Sequence, residues 1–564
     1  METRDSDVLI LGSSISGLMV ACWLKLEEPD LEVVVVGPPP DREKRPYVGE
    51  SLVEPAILFF REIGMGDFLD RRCALKNGLT FYHKLRPHDP ADRRYSVHAP
   101  EYLHHLARQL HRPDFDGALR ERAAALGVTL IDGLAESFTV GSRGERHQVT
   151  LRGGERLRGR WLVDATGRRR LIGRQVTTYT KPEENQRSAF WIRLADFEPF
   201  TGHIEASMRR PLLYDIWDST HHFMGRGNWI WGIPLASPEH RRLISLGVTF
   251  RPDVFPRADR MRSVDDFVDY LESEHPALAA MVRSGRVLDS HTYRDYIYWA
   301  DHIYSPDGWF LVGDAARAVD PLYSTGLSMT SIQALQIGTM IRRQRQSRLA
   351  DDDVRALEEV WMKVARRRQM DIADQYRSMD DPFQACMRRY WNICGWFNAV
   401  LPLWWNGFLS DPEGARLVSR LFAEPDIGSE AAWRLFAATS AALGPGLDPR
   451  IFERAGDLDE MVNPRFDCAL DDLPRHVAAM FRKRADLRLA LIRLGGWGLA
   501  AGQVRPLLRD LAVARAAPLI LRRIGRDAFR SVRPPLHRLI AAGAAGAPPG
   551  ASPYRRPGPH ASAG

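Results

Sequence analysis

Residues 7–11, Asp-Val-Leu-Ile-Leu, form a short apolar run closed by Gly12, the pattern of a parallel strand buried on both faces. The spacing after the turn predicts a helix over 17–26, and the run over 31–36 predicts a second buried strand. Strand, helix and strand in that order open a dinucleotide-binding fold. Phe115, Leu119, Ala123 and Leu126 then recur at helical spacing before Gly127 and a strand over 128–131. Residues 161–164 predict a strand that ends on an acid, Asp164. Between about 175 and 290 the alternation has a period of two, including a Trp-x-Trp stretch and the run 243–250, and predicts an antiparallel sheet. A strand over 309–312 and a helix over 326–344 follow. From Asp351 onward the pattern is helical, with Tyr390, Trp391, Trp396, Phe397, Trp404, Trp405 and Phe408 close together. At such spacing these aromatics are more often core than pocket lining.

The fold class is therefore α/β: a Rossmann-like dinucleotide-binding domain, an inserted antiparallel sheet and a mainly helical C-terminal region. The expected boundaries are 1–175 for the first part of the dinucleotide-binding domain, 176–290 for the sheet and 291–345 for the segment that closes that domain. A helical region over 346–480 and a basic helical tail over 481–564, disordered at its end, complete the chain. A length of 564 residues, 45% of them hydrophobic, supports two or three structural units with a large core.

Charge changes this picture only at the end of the chain. The formal net charge is +7, yet residues 481–564 carry 16 Lys/Arg against 3 Asp/Glu, so the rest is mildly acidic and is no nucleic-acid binder by charge. The tail could lie on an anionic membrane, dock an acidic carrier protein, or simply be a solvated helical face. Five dispersed cysteines without a CxxC fit free thiols in a reducing cytoplasm. No segment reads as a signal peptide, and no apolar run reaches the roughly 18 residues of a spanning helix. His104-His105 and His221-His222 lack metal-ligand spacing, and no metal is expected.

Gly12-Ser13-Ser14-Ile15-Ser16-Gly17 follows the first strand and matches G-x-G-x-x-G at its outer glycines, with serine in the middle. Such a turn lets a pyrophosphate sit on the free N–H groups of a helix N-terminus. The second strand ends at Gly37, where an acid for the ribose hydroxyls is the usual residue. Val48-Gly49-Glu50-Ser51, Asp164-Ala165-Thr166-Gly167 and Gly313-Asp314-Ala315-Ala316 each follow a loop or strand. Asp320-Pro321-Leu322-Tyr323-Ser324-Thr325-Gly326 leads into the last long helix. Asp314 at a strand end can accept from ribitol hydroxyls, and the small residues let backbone amides face a flavin ring or an anion. These segments, in this order, point to FAD. The expected cofactor residues are Gly12 to Gly17, Gly49, Glu50, Ser51, Arg112, Asp164, Gly167, Gly313, Asp314, Pro321, Gly326 and Leu327.

Trp229-Ile230-Trp231-Gly232-Ile233-Pro234 narrows the class. With the motifs above, and with Arg112-Pro113-Asp114-Phe115-Asp116 at a helix start, the chain resembles the flavin-dependent halogenases over roughly residues 5–345. These are a branch of the para-hydroxybenzoate-hydroxylase-like flavoproteins. The resemblance implies that reduced FAD and oxygen oxidise chloride or bromide to hypohalous acid. It implies a separate reductase that supplies the reduced FAD, and a tunnel lysine that directs the oxidant to an electron-rich ring.

By that resemblance Thr325 and Gly326 hold the halide, and Trp229 and Trp231 wall the flavin cavity. Lys76, two residues before Gly78, is the catalytic lysine at the offset of the phenol and carrier-bound-substrate halogenases. It is one of seven lysines in the chain. The competing reading of Lys76 is a solvent-facing lysine at the edge of a strand. Tyr323 stands where the tryptophan enzymes carry a glutamate, which argues for a phenol or pyrrole, free or carrier-tethered. The alternatives are a monooxygenase that hydroxylates or epoxidises without halide, and a reductase resembling the geranylgeranyl reductases.

Overall fold

The computed structural model describes residues 3–39, 48–86, 89–98, 103, 105–182, 186–202, 214–421, 427–444, 467–468, 470–512 and 514–515. His104 and the part of the basic tail beyond Arg515 lie outside them.

The first sheet is built from the strands Thr129–Ile131, Val33–Val36, Thr3–Leu11, Arg156–Asp164 and Trp309–Leu311, all parallel. An antiparallel pair, His147–Leu151 and Ala135–Thr139, extends it from Arg156–Asp164. Register decides what this sheet can do. Leu11 lies opposite both Val36 and Asp164, and Asp164 lies opposite Leu311. The carboxyl ends of four strands are therefore level, and the loops after them leave along one edge. That edge is where open parallel sheets bind ligands. Residues 8–11, 33–36, 161–163 and 309–311 are buried on both faces, so they read as unbroken apolar runs.

The helix Ile15–Glu27 starts two residues earlier than the apolar spacing suggests, because Ser14 already has extended backbone. It packs against the helix Gly326–Arg345 at a close crossing, where a Cβ on Gly338 would fall 2.7 Å from the Trp23 indole nitrogen.

The second sheet has seven strands in the order Arg286–Tyr293, Ser188–Ala195, Leu243–Phe250, Asn228–Leu235, Thr220–Gly225, Leu79–His83 and Tyr95–Val97. It differs from the expected insertion in two ways. Its last two strands come from before residue 176, and Thr220–Gly225 runs parallel to Leu79–His83. The central strands are buried on both faces, so their alternation sorts two kinds of apolar side chain. Phe190, Ile192, Ile230, Ile244 and Leu246 face the helices Val264–Glu274 and Pro276–Ser284. Trp191, Trp229, Trp231 and Phe81 face the other way, toward Tyr323 and Tyr376.

Beyond Asp351 the structure is helical, as the pattern predicts. The helices Pro382–Gly395, Ile427–Leu443 and Leu473–Gly495 share a core with Tyr95 and Val97, which holds the helical region against the end of the second sheet. Among the described residues no helix is long and apolar enough to cross a membrane.

Candidate active site

The level strand ends open onto a cavity of about 690 Å³ between the two sheets. Its floor is the first turn. Gly12 has φ +116° and Gly17 abuts the Gly12 carbonyl, so a Cβ at either position would fall 2.2 or 2.0 Å from backbone oxygen. Gly313 comes equally close to this turn, since a Cβ there would meet Ser16 Oγ at 2.5 Å. The N-terminus of Ile15–Glu27 has no side-chain cap and no acid in its first turn, so its amides are available to an anion. The Ser14 hydroxyl lies 3.5 Å from both Asp116 Oδ2 and Arg112 Nη2. The serine that replaces the middle glycine is thus directed at this ion pair. Gly37, in place of the usual acid, gives Ser13 room: a Cβ at Gly37 would lie 2.5 Å from Ser13 Oγ.

Arg112 is buried, donates twice to Asp116 at 2.8 and 2.9 Å and also donates to the Val48 carbonyl. Arg112, Arg168, Arg169 and Arg317 line the cavity beside Glu50, Asp314 and Asp320. Free helix amides, a glycine cradle and several guanidiniums fit the diphosphate of a dinucleotide. Burial pushes the Glu50 carboxyl up to about 7, against the pull of Ser245, Arg193 and Arg112.

Trp229 and Trp231 line the opposite wall with Trp191, His222 and Tyr296. Trp229 is held by a buried relay. Its indole N–H donates to Tyr376 Oη at 2.8 Å, and that hydroxyl donates to Asp320 Oδ2 at 2.7 Å. The same carboxylate accepts from Arg187 Nε at 2.9 Å, and both partners of the ion pair are fully buried. Asp320 Oδ1 accepts from the Leu322 amide. The relay fixes the loop that ends at Ser324, whose φ is +55°, and Thr325, the N-cap of Gly326–Arg345. Thr325, Gly326, Pro321 and Leu327 all line the cavity.

Behind this loop lies a second chamber of about 80 Å³. Thr325 lines both spaces, and Ser51 lines the first while its hydroxyl accepts from Lys76 in the second. Between them the His222 ring stacks on Phe81 at 4.6 Å. Thr325, Ser51, His222 and Phe81 thus form the partition. Lys76 is 1% exposed, which rules out the solvent-facing reading. Its ammonium donates to Ser51 Oγ at 2.8 Å and to the Leu52 carbonyl at 2.6 Å. Burial pulls it down from the ordinary lysine range to about 7, and the nearby Glu54 carboxylate pulls it back up. Burial in turn raises Glu54. A buried amine that titrates near neutrality can give or take a proton at the chamber wall.

Most of the expected residues converge on these two spaces, and Asp164 and Gly17 line neither. Asp164 is fully buried, and its carboxylate accepts from the Thr166, Ile172 and Gly173 amides and from the Thr166 hydroxyl, at 2.7–3.0 Å. It shapes its own loop and has no acceptor left for a ligand, so a cofactor contact through its side chain is corrected to a structural role. Gly17 acts by close packing and does not line the cavity. Gly167 lines it with φ +61°.

His222, Phe81 and Arg389 line these spaces and Arg187 and Tyr376 brace the loop between them through Asp320, and sequence reasoning did not single out any of the five as a site residue. The C-terminal aromatics divide. Trp396 and Phe397 line the second chamber, while Tyr390, Trp391, Trp404 and Phe408 are core. His221 and His222 are buried and neutral, both lowered to about 3 by burial. Among the described residues no cluster of His, Cys, Asp or Glu could hold a metal ion.

The tryptophan halogenase family model matches residues 88–354. A flavin-dependent halogenase, chlA, of Dictyostelium discoideum is 25% identical over 469 residues, covering 75% of this chain and 76% of its own. A 1H-pyrrole-2-carbonyl-[peptidyl-carrier protein] brominase of Pseudoalteromonas luteoviolacea is 24% identical, covering 61% of this chain and 78% of its own. The fold is similar to that of the halogenase PltM solved with phloroglucinol and FAD. There the TM-score is 0.61 at 17% identity, covering 87% of this chain and 99% of that one.

Proposed function

We propose that this chain, which is similar to flavin-dependent halogenases, halogenates an electron-rich aromatic ring in the second chamber with FAD held in the first. The observation that carries this reading is the position of Lys76, buried in a space of its own and touching the partition of a dinucleotide-sized cavity. Gly12 to Ser16, Gly49, Glu50, Arg112, Gly167, Gly313, Asp314, Pro321 and Leu327 would hold the FAD. Reduced by a separate flavin reductase, the bound cofactor supplies with oxygen the equivalent that turns halide into hypohalous acid, the second oxygen atom leaving as water.

The chain's own residues do the rest. The amides of Thr325 and Gly326, at the N-terminus of a 20-residue helix, hold chloride or bromide. Trp229, Trp231 and Trp191 keep the aromatic substrate out of the first cavity. Lys76 holds the hypohalous acid by its oxygen and protonates that oxygen as the carbon–halogen bond forms. Water leaves, and the amine recovers its proton from the ring carbon. No carboxylate stands at position 323, so the ring must supply its own electron density, as a phenol or pyrrole does, free or carrier-tethered.

Five free cysteines support a cytoplasmic setting. The exposed Leu494, Trp497, Val504 and Leu508, set among arginines, support a contact of the tail with an anionic membrane or acidic partner.

The test supplies the full-length protein with reduced FAD, air, chloride or bromide and a soluble β-diketone trap. Halogenated trap that depends on halide, oxygen and protein is expected. Protein that retains FAD and gives no halogenated trap with either halide would sink the reading.

A further inference from the structure

The second chamber holds a second cation that the chemistry above does not use. Arg389, on the helix Pro382–Gly395, is 4% exposed and lines the chamber with Lys76. One N–H donates to the Val97 carbonyl at 3.0 Å. The guanidinium then lies over the Phe81 ring at 5.1 Å and the Tyr390 ring at 5.3 Å, and its buried Nε–H has no acceptor. Among the described residues no carboxylate forms an ion pair with it. Arg187, Arg112 and Arg488 are buried too, and each is matched by a carboxylate, Asp320, Asp116 and Asp510; among the described residues Arg389 shares its lack of one with Arg317 and Arg388. A buried guanidinium with an open N–H and no counter-charge is costly unless something else completes it. Among the described residues the one carboxyl on the chamber wall, Glu54, is held toward its neutral form by burial, and the nearby Lys76 charge pulls it back down.

Size narrows what can complete it. A water-sized occupant takes about 10–15 Å³ of such space, so 80 Å³ is room for a single aromatic ring and not for a fused system. We propose that Arg389 is an anion subsite of the second chamber, and that the substrate is a monocyclic aromatic whose acidic oxygen, a phenolate or a carboxylate, binds the Arg389 guanidinium. This rests on the reading of the chamber as the halogenation site. It also deepens that reading: a phenolate is far more electron-rich than its phenol, which meets the demand that Tyr323 leaves on the ring.

The probe is 4-nitrophenol, added to the full-length FAD-loaded protein at a pH below its solution pKa, because its absorbance distinguishes phenolate from phenol. Wild type and Lys76→Met are expected to bind it in the phenolate form. Arg389→Met should weaken binding roughly 10- to 100-fold, the worth of one charge-assisted hydrogen bond, and lose the phenolate spectrum. Arg389→Lys, which keeps the charge, should be intermediate and covers the case in which methionine disturbs the fold. Competition by benzoate, but not benzamide, would admit carboxylates to the same subsite; resistance to benzoate would confine it to phenolates. Neutral phenol bound to wild type, or Arg389→Met binding like wild type, overturns the proposal. Halogenation of the β-diketone trap is read in parallel. Its absence in wild type would sink the halogenase reading while leaving the probe spectra to decide the anion subsite alone.

Discussion

The two spaces on either side of Thr325 are built by opposite means. The larger one is made of backbone: glycines that admit close approach, a helix N-terminus without a cap, and strand ends brought level by register. The smaller one is made of side chains from separate segments, Lys76, Phe81, Tyr323, Arg389 and Trp396, and its chemistry lies in buried charge. A backbone-built cavity binds what many proteins bind. A side-chain-built chamber can be changed residue by residue without unfolding the sheet beneath it, and under the proposed function substrate choice belongs there.

If that division holds, lesions in the larger space should remove oxidant and product together, and lesions in the smaller one should separate them. The largest effect is expected from Gly12→Ala. A left-handed backbone costs about 1–3 kcal/mol for a residue with a Cβ, and this Cβ would also meet the Ala165 carbonyl at 2.2 Å. The purified protein should retain no FAD by absorbance and halogenate nothing. Lys76→Ala comes next. Halogenated aromatic product should fall by at least ~100-fold while halogenation of a soluble trap continues, read by mass spectrometry of both. An equal loss of the two would erase the distinction between the spaces.

Tyr376→Phe removes one hydroxyl that joins Trp229 to Asp320. Leaving those buried groups short of a partner costs about 1–3 kcal/mol. Thermal unfolding should shift down, and weaker FAD retention should follow because the relay braces the loop before Thr325. The smallest effect is on stability against pH. Lys76 is lowered in the folded protein to about 7 from 10.5, so between those values the unfolded chain binds the extra proton. Stability attributable to this group is then full above the unfolded value and is lost as pH falls toward 7. Lys76→Met should flatten that slope, a change in melting temperature on the order of 2 °C between pH 7 and 10.

Legibility in the sequence follows the same division. Gly12 to Gly17, Gly313-Asp314 and Asp320 to Gly326 are short contiguous motifs, because a backbone turn is specified by neighbours. Their convergence was also legible, since each follows a strand. Asp164 shows the limit of such reading: a strand-end acid can serve a ligand or its own loop, and only the four hydrogen bonds it accepts decide. The second chamber was legible at Lys76, Tyr323 and Thr325. Arg187 and Tyr376 meet Asp320 across 133 and 56 residues, and Arg389 meets Val97 across 292, so no local pattern announces them. The sheet extended beyond its expected limits for a related reason. The strands Leu79–His83 and Tyr95–Val97 are short and lie far from the rest of the sheet in sequence, yet Leu79–His83 pairs with Thr220–Gly225 and Tyr95–Val97 pairs with Leu79–His83.

The second chamber has one more property. Tyr323 and Trp396 are part of its wall, and both are electron-rich rings of the kind the proposed oxidant attacks. Whenever a turnover starts with no guest in place, the wall itself becomes the target. The working lifetime of each molecule would then be counted in idle cycles, and a tightly held guest would act as armour for the protein as well as its reactant.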